Sequence, residues 1–186
     1  MKLCIINGWE EGNIKYVSEK GLEAVEFCVN HNYNSADFRA KAPDIKGYCE
    51  KYGVIVGSMG RWGRKRIDDN GDIIYEALQE DKNIIDAASI IGCPVFNTGV
   101  NYTDSKSFYE NCEIAINYLK ELITYAEGKN VKIAVYNCAW ENFVDTVKIL
   151  TDFLLQKLRC WGAESYAVDL TPVVFCLFNH KDILLL

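Results

Sequence analysis

The sequence predicts an α/β fold in which parallel strands and helices alternate to form a (β/α) barrel. Apolar runs typical of buried strands and amphipathic helical runs follow one another from the first residues of the chain. Polar or aromatic side chains follow the predicted strands, and in a barrel those strand ends share one rim. The alternative is an open, doubly wound, nucleotide-binding sheet. It is weakened because the stretch INGWEEGN contains neither G-x-G-x-x-G nor a P-loop.

Short apolar runs mark the strands. In the stretch VKIAVYNCAW, for example, Val131, Ile133 and Val135 alternate with other residues, as in a strand that is buried in a sheet. The predicted strands cover residues 2–7, 23–29, 54–58, 95–97, 131–137 and 165–169. These are about six of the eight strands of a complete barrel, so the predicted barrel is incomplete.

Helices are predicted between the strands. The apolar stripe of residues 72–91 includes Ile74, Leu78 and Ile85, and Gly92 is expected to end this helix. Further helices are predicted over 11–20, over 44–52 after Pro43, from Asp104 or Ser105 to a stop at Gly128, and over 142–158.

The ends of the predicted strands supply the candidate binding residues. Rings can pack against the C–H faces of a sugar while Asn, Glu and Arg bind its hydroxyls, so such a rim suits a hydroxyl-rich small molecule. Any one of the tryptophans could instead be a core residue. The polar candidates are expected to share a pocket because buried polar groups need partners. The candidates are Asn7, Trp9, Glu26, Arg61, Trp62, Asn97, Asn101, Tyr136, Asn137, Trp140 and Asp169.

Glu26 is the candidate that most needs a partner. A buried carboxylate is costly unless a metal, an arginine or a proton neutralises it. Arg61, on the next strand end, is the predicted partner, and it would also suit a phosphate or carboxylate on a substrate. The neighbouring cluster Arg64, Lys65 and Arg66 is interpreted as a solvated loop. His31 is interpreted in the same way, although it could be a ligand or a base.

Composition limits the classes of partner. The chain has 186 residues, of which 49% are hydrophobic, and a formal net charge of −6, which disfavours a nucleic-acid partner. No run of about eighteen apolar residues and no signal peptide is visible, so neither a membrane span nor secretion is expected. The eight cysteines form no CxxC pair with metal-ligand spacing. They are expected to be free core thiols in a reducing cytoplasm.

Four ordered stretches, GLEAVEF, GSMGRWG, IIGCPVFNTG and VKIAVYNCAWENF, resemble the xylose-isomerase-like barrel superfamily. The similarity is greatest to its sugar phosphate isomerase/epimerase branch, whose domain includes the AP endonuclease family 2 proteins. It runs from Met1 to about Leu150, within one domain over 1–186. The resemblance implies a TIM-type barrel, a divalent metal (Mn²⁺, Mg²⁺, Co²⁺ or Zn²⁺), and isomerisation or epimerisation of a sugar or sugar phosphate by proton or hydride transfer.

The sequence departs from the superfamily's usual metal site. A metal-binding Glu commonly ends the strand equivalent to 131–136, whereas this chain has Tyr136, a poor ligand for Mg²⁺ or Mn²⁺ while protonated. The next strand of the family ends in an Asp followed three residues later by a His. Asp169 matches that Asp, whereas Pro172 occupies the His position.

Residues 151–186 are expected to be an atypical tail. The family likeness fades there, and an eight-stranded barrel needs about 200 residues. We expect a truncated or frame-shifted reading of the family sequence, with a diverged short protein as the alternative. Sequencing the downstream DNA for the remaining strands tests this. Either the tail or a second copy of the chain is expected to cover the open barrel edge.

Three functions compete. The first is a metal-dependent sugar (phosphate) isomerase or epimerase, in which Glu26 and Asp169 are the catalytic and metal-binding residues, Arg61 contacts an anion, and Trp62 and Trp140 form sugar platforms. The second is a catalytically inactive sugar-binding protein on the same scaffold. The third, a nuclease acting at damaged DNA, is disfavoured because only His31 and His180 could serve as histidine ligands for clustered zinc.

Overall fold

Five parallel strands form one sheet in residues 2–135, the part of the chain that the computed structural model describes. Each strand pairs with the next one in the sequence, in the order of a (β/α) barrel and without the strand-order reversal of a doubly wound sheet. The elements are β1 (Cys4–Ile6), α1 (Glu11–Glu19), β2 (Ala24–Cys28), α2 (Ser35–Tyr52), β3 (Ile55–Gly60), α3 (Tyr75–Ile91), β4 (Val95–Thr98), α4 (Phe108–Ala126) and β5 (Lys132–Val135). The predicted incomplete (β/α) TIM-type barrel is confirmed. The strand and helix predicted over 165–169 and 142–158 lie outside the described residues.

The start of α2 was wrongly predicted. The helix begins at Ser35, not Asp44, and contains Pro43 in its interior. Asn34 caps it by accepting hydrogen bonds from the backbone N–H groups of the first turn, at 2.9 and 3.1 Å. Phe38 and Ala42 already lie on its buried face, so core packing extends the helix through the proline.

The helices α3 and α4 also begin later than predicted. The carboxylate of Asp68 accepts the backbone N–H of Asp72 at 2.9 Å and so holds residue 72 in a turn. Ser107 and Glu110 form a reciprocal capping box, which starts α4 at Phe108 instead of near Ser105. The predicted helix ends at Gly53 and Gly92 are confirmed, since both glycines adopt the left-handed conformation.

The hydrophobic core lies between the sheet and its helices. Side chains from alternate strand positions pack against the apolar stripes of α1 to α4. The largest fully buried apolar side chains there include Phe27, Phe96, Ile84, Ile85, Met59 and Leu122. Among residues 2–135, no helix combines the length and apolar composition that crossing a bilayer requires.

The cysteines of the described residues are free, as predicted. Burial raises the pKa of Cys49 to about 11 and that of Cys93 to about 12, so both thiols are protonated at neutral pH. Cys4 differs from the expected core thiol, because it is exposed.

Candidate functional site

The two faces of the sheet separate the candidate residues. On β2 and β4, Phe27, Phe96 and Thr98 are buried on the helix side, and the Thr98 hydroxyl donates to Asp81 of α3 at 3.3 Å. Because successive strand residues point to opposite faces, the intervening residues of these strands face away from the helices. That side is the interior of a barrel.

Strand register aligns these side chains in two rows. The first row runs across β1, β2 and β3 and consists of Ile6, Glu26 and Ser58. The second row lies two residues nearer the C-terminal ends of the strands and consists of Cys28, Gly60 and Asn97 on β2, β3 and β4. The Ser58 hydroxyl donates to the Glu26 carboxylate at 2.8 Å. We call the half-buried side chains of these rows, together with the ring described next, the inner face. Its members are Glu26, Cys28, Ser58, Trp62 and Asn97.

The ring of Trp62 lies over the end of β3. A Cβ atom on Gly60 would come within 2.8 Å of that ring, so only a glycine lets the indole lie there. The side chain of Trp62 also hydrogen-bonds Cys28, on the neighbouring strand. The indole is therefore fixed as an apolar wall beside Cys28 and Gly60.

The carboxylate of Glu26 sets the charge of the inner face. Burial, followed by the negative charge of Glu26, raises the pKa of the Cys28 thiol, and the same two causes raise the pKa of Cys4. Both thiols are therefore protonated at neutral pH.

Asn7 and Trp9 lie at the rim, where their side chains contact neighbouring residues of the protein. The Asn7 amide accepts the Gly8 N–H at 2.9 Å and donates to the Asn13 carbonyl at 3.4 Å, which ties the end of β1 to α1. The half-buried Trp9 ring packs edge-to-face on Tyr33 and Phe38, with centroid distances of 4.8 and 5.0 Å. Their predicted sugar contacts stay predictions.

The expected ion pair between Arg61 and Glu26 is wrong. Gly60 faces inward, so the next residue, Arg61, points to the helix side, where it is 1% exposed. Its guanidinium donates to the carbonyls of Val29 and Asn30 at 3.0 and 3.1 Å and to Glu80 of α3 at 2.9 Å. Contact between Arg61 and a substrate anion stays a prediction.

The interpretation of Arg66 as a solvated side chain is also wrong. Arg66 is 2% exposed and forms a two-point ion pair with the fully buried Asp81, at 2.8 and 3.2 Å. Tyr118 donates to the same carboxylate at 2.9 Å. Burial alone would lower the pKa of Arg66, but Asp81 raises it overall, while burial and then Asp81 raise the pKa of Tyr118. Arg66 also donates to the Arg61 carbonyl at 3.0 Å, which links the two arginines.

A sequence signal for Asp81 existed. The predicted stripe of α3 passes from Leu78 to Ile84 and Ile85, and position 81 lies on that face at helical spacing. An aspartate at a core-facing position requires a cationic partner.

The side chain of Asn101, another predicted candidate, is also hydrogen-bonded within the protein. Its carbonyl oxygen accepts the backbone N–H groups of Arg66 and Ile67 at 2.7 and 3.0 Å.

Two open depressions lie apart from the inner face. One, of about 420 Å³, is lined by Asn70, Lys106 and Tyr109 among others, between the loop after β3 and the start of α4. The other, of about 380 Å³, lies along the first turns of α3 and includes Tyr75. Neither contains a candidate residue from the sequence.

The sequence model of the family described as "Xylose isomerase-like TIM barrel" matches residues 14–154, most of the chain. This chain belongs to that family. The predicted recognition is thus confirmed. Among curated proteins, no sequence matches the chain.

Solved structures support the same fold. A D-psicose 3-epimerase from Clostridium cellulolyticum H10, with D-tagatose, is 16% identical, with a TM-score of 0.66 over 84% of this chain and 60% of the other. A 3-keto-D-glucoside 4-epimerase from E. coli is 15% identical, with a TM-score of 0.65 over 84% and 64%. A xylose isomerase domain protein from Planctomyces limnophilus is 15% identical, with a TM-score of 0.61 over 83% and 59%. The chain spans about three-fifths of the length of these structures.

The resemblance implies a divalent metal. The described residues of this xylose isomerase-like barrel contain at most part of a binding site for it. Among residues 2–135, no group of three or more His, Cys, Asp or Glu side chains could hold a metal ion. Glu26 is the predicted ligand in this part. His31 is exposed in the loop after β2, where its backbone N–H donates to the Trp62 carbonyl at 2.9 Å. Tyr136, Asn137, Trp140, Asp169 and His180 lie outside the described residues.

Proposed function

We propose that the protein is an isomerase or epimerase that acts on a sugar or sugar phosphate. The observation that carries the proposal is the inner face, where the Glu26 carboxylate accepts from Ser58 at 2.8 Å and shares one side of the sheet with the Trp62 ring and Asn97. A carboxylate, an amide and a fixed ring are the groups that bind hydroxyls and C–H faces of a sugar. Membership of the family supports the same activity.

Glu26 is the proposed acid/base. Its carboxylate would take the proton from the sugar carbon next to the carbonyl, which leaves an enediolate. Return of that proton by Glu26 to the neighbouring carbon completes isomerisation, whereas epimerisation requires a second acid that gives a proton to the opposite face of the enediolate. Ser58 donates to this carboxylate and so fixes its direction. Asn97 would bind a substrate hydroxyl. Hydride transfer, metal dependence, and roles for Tyr136, Asn137, Trp140 and Asp169 belong to the proposal as predictions.

Turnover of free sugars tests this proposal. The purified chain is incubated with D-fructose, D-tagatose and D-psicose, with Mn²⁺, Mg²⁺, Co²⁺ or Zn²⁺ or with a chelator, and the products are separated by chromatography. We expect conversion of at least one of these ketoses into its C3 epimer or into the corresponding aldose. Binding without conversion would instead favour the inactive sugar-binding protein, and neither binding nor conversion would contradict both.

We also infer that the protein acts in the cytoplasm. The free cysteines of residues 2–135 support a reducing compartment.

As a second inference, we propose that another copy of the chain covers the sheet edge at β1. Leu3, 67% exposed beside that edge strand, supports the contact between copies. Sedimentation velocity checks the second inference, and a strictly monomeric chain would contradict it.

A further inference from the structure

We propose that Arg66, which is buried against α3, positions the Trp62 ring on the inner face for contact with a sugar. This inference rests on the proposed function, because it adds a positioning residue to the same site. Arg66 acts through the turn of residues 61–64, which follows β3 and carries Trp62.

The guanidinium of Arg66 binds this turn at two points. It donates to the carbonyl of Arg61 at 3.0 Å and to the carbonyl of Arg64 at 3.1 Å. These two carbonyls stand on either side of Trp62 and Gly63 in the chain. Hydrogen bonds from a charged donor are stronger than those between neutral groups, so both ends of this short segment are held.

Asp81 fixes the direction of the guanidinium. Its fully buried carboxylate accepts from Nε and Nη2 of Arg66 at 2.8 and 3.2 Å, and the hydroxyls of Thr98 and Tyr118 donate to the same carboxylate. The planar fork of an arginine binds the carboxylate and the two carbonyls together. A lysine would keep the charge, but its single ammonium cannot reproduce that fork.

The place of the Trp62 ring depends on the backbone of this turn. The Trp62 carbonyl accepts the His31 N–H at 2.9 Å, and the indole lies over Gly60, where a Cβ atom would come within 2.8 Å of it. The side chain follows any displacement of its own backbone. Misplacement of a substrate-positioning group by about 1 Å can reduce a rate by about 10²-fold. Arg66 therefore sets, through the backbone, where the indole meets a sugar.

Replacing Arg66 with lysine tests the inference. In ¹⁵N–¹H spectra of the sugar-free chain, with the indole N–H signal assigned by Trp62→Phe, we expect that signal to shift or broaden in Arg66→Lys. In calorimetric titration, we expect D-fructose to bind at least about fivefold more weakly, the loss that follows when one ring contact is weakened. Circular dichroism records whether the variant is folded.

Two control variants separate positioning from a general loss of stability. Arg64 lies in the same turn, and its side chain makes a single contact with Glu80 at 2.9 Å that a lysine can replace. Arg64→Lys should leave the indole signal in place and the affinity within about twofold. Ile45→Val removes one buried methyl group from α2 and lowers the melting temperature, but it should change neither the signal nor the affinity.

The outcomes separate this inference from the proposed function. If folded Arg66→Lys keeps the indole signal, keeps the affinity, or changes them no more than Ile45→Val does, the inference is overturned while the proposed function stands. If the unmodified chain binds no ketose, both are overturned.

A measurement on the unmodified chain decides the matter if Arg66→Lys does not fold. Coupling between two sites is reciprocal, so a sugar that uses the positioned ring should stabilise the contacts of Arg66. Saturating D-fructose should therefore slow solvent exchange of the Arg66 Nε–H by about threefold or more. An unchanged exchange rate would overturn the inference.

Discussion

Replacing Asp81 with alanine is expected to lower the free energy of unfolding by about 3–5 kcal/mol, the typical cost of removing one partner of a buried ion pair. Asp81 is fully buried and accepts hydrogen bonds from Arg66, Thr98 and Tyr118. Its loss leaves the Arg66 guanidinium without a counter-charge in the core and two hydroxyls without their acceptor. Urea denaturation followed by circular dichroism measures the change.

The chain offers a matched control. Lys65 and Asp69 form an ion pair in the same loop region, but Asp69 is 92% exposed. Asp69→Ala should therefore leave the midpoint of unfolding unchanged within error. Equal effects at Asp69 and Asp81 would show that the buried pair has no special role. Combining Asp81→Ala with Arg66→Met should recover part of the lost stability, because the unpaired charge is then removed as well.

Replacing Glu26 with glutamine is expected to reduce sugar turnover by about 10²–10⁴-fold, the usual contribution of a general acid/base. Glutamine has the same size as glutamate, and its amide oxygen can still accept from the Ser58 hydroxyl, so the fold should persist. The rate is measured as kcat for the ketose that the unmodified chain converts, with the melting temperature recorded alongside.

Glu23→Gln is the control for charge and side-chain size. Glu23 lies three residues before Glu26 and is exposed, so this change should alter kcat by less than about twofold. A Glu26→Gln chain that melts normally and keeps kcat within about threefold of the unmodified value would remove Glu26 from the proposed chemistry.

The sequence was sufficient for the fold class and for the helix ends. Gly53 and Gly92 follow amphipathic segments, and a glycine in that position adopts the left-handed conformation that ends a helix. The helix starts were harder to predict, since local signals competed there. Pro43 suggested that α2 begins at Asp44. The Asn34 cap and the packing of Phe38 instead start this helix at Ser35.

The site could be predicted only in part, because one residue of shift along a strand changes the face. Glu26 and Asn97 lie on the same face of the sheet, on strands β2 and β4, with β3 between them. Arg61 follows an inward-facing glycine and therefore points to the helices, where Glu80 binds it. Counting strand positions from the buried Met59 would have placed Arg61 on the helix side, whereas Glu80 as its partner depends on tertiary packing that the sequence pattern does not specify.

Mapping bound D-fructose by ¹⁵N–¹H NMR tests most directly whether the strand ends form a sugar site. We expect the largest chemical-shift changes at the indole N–H of Trp62, the side-chain amide of Asn97 and the backbone around Glu26 and Ser58. Trp62→Phe and Asn97→Asp assign the two side-chain signals. Changes confined to the depressions beside Tyr75 or Tyr109, with the Trp62 indole signal unmoved at saturating sugar, would contradict it.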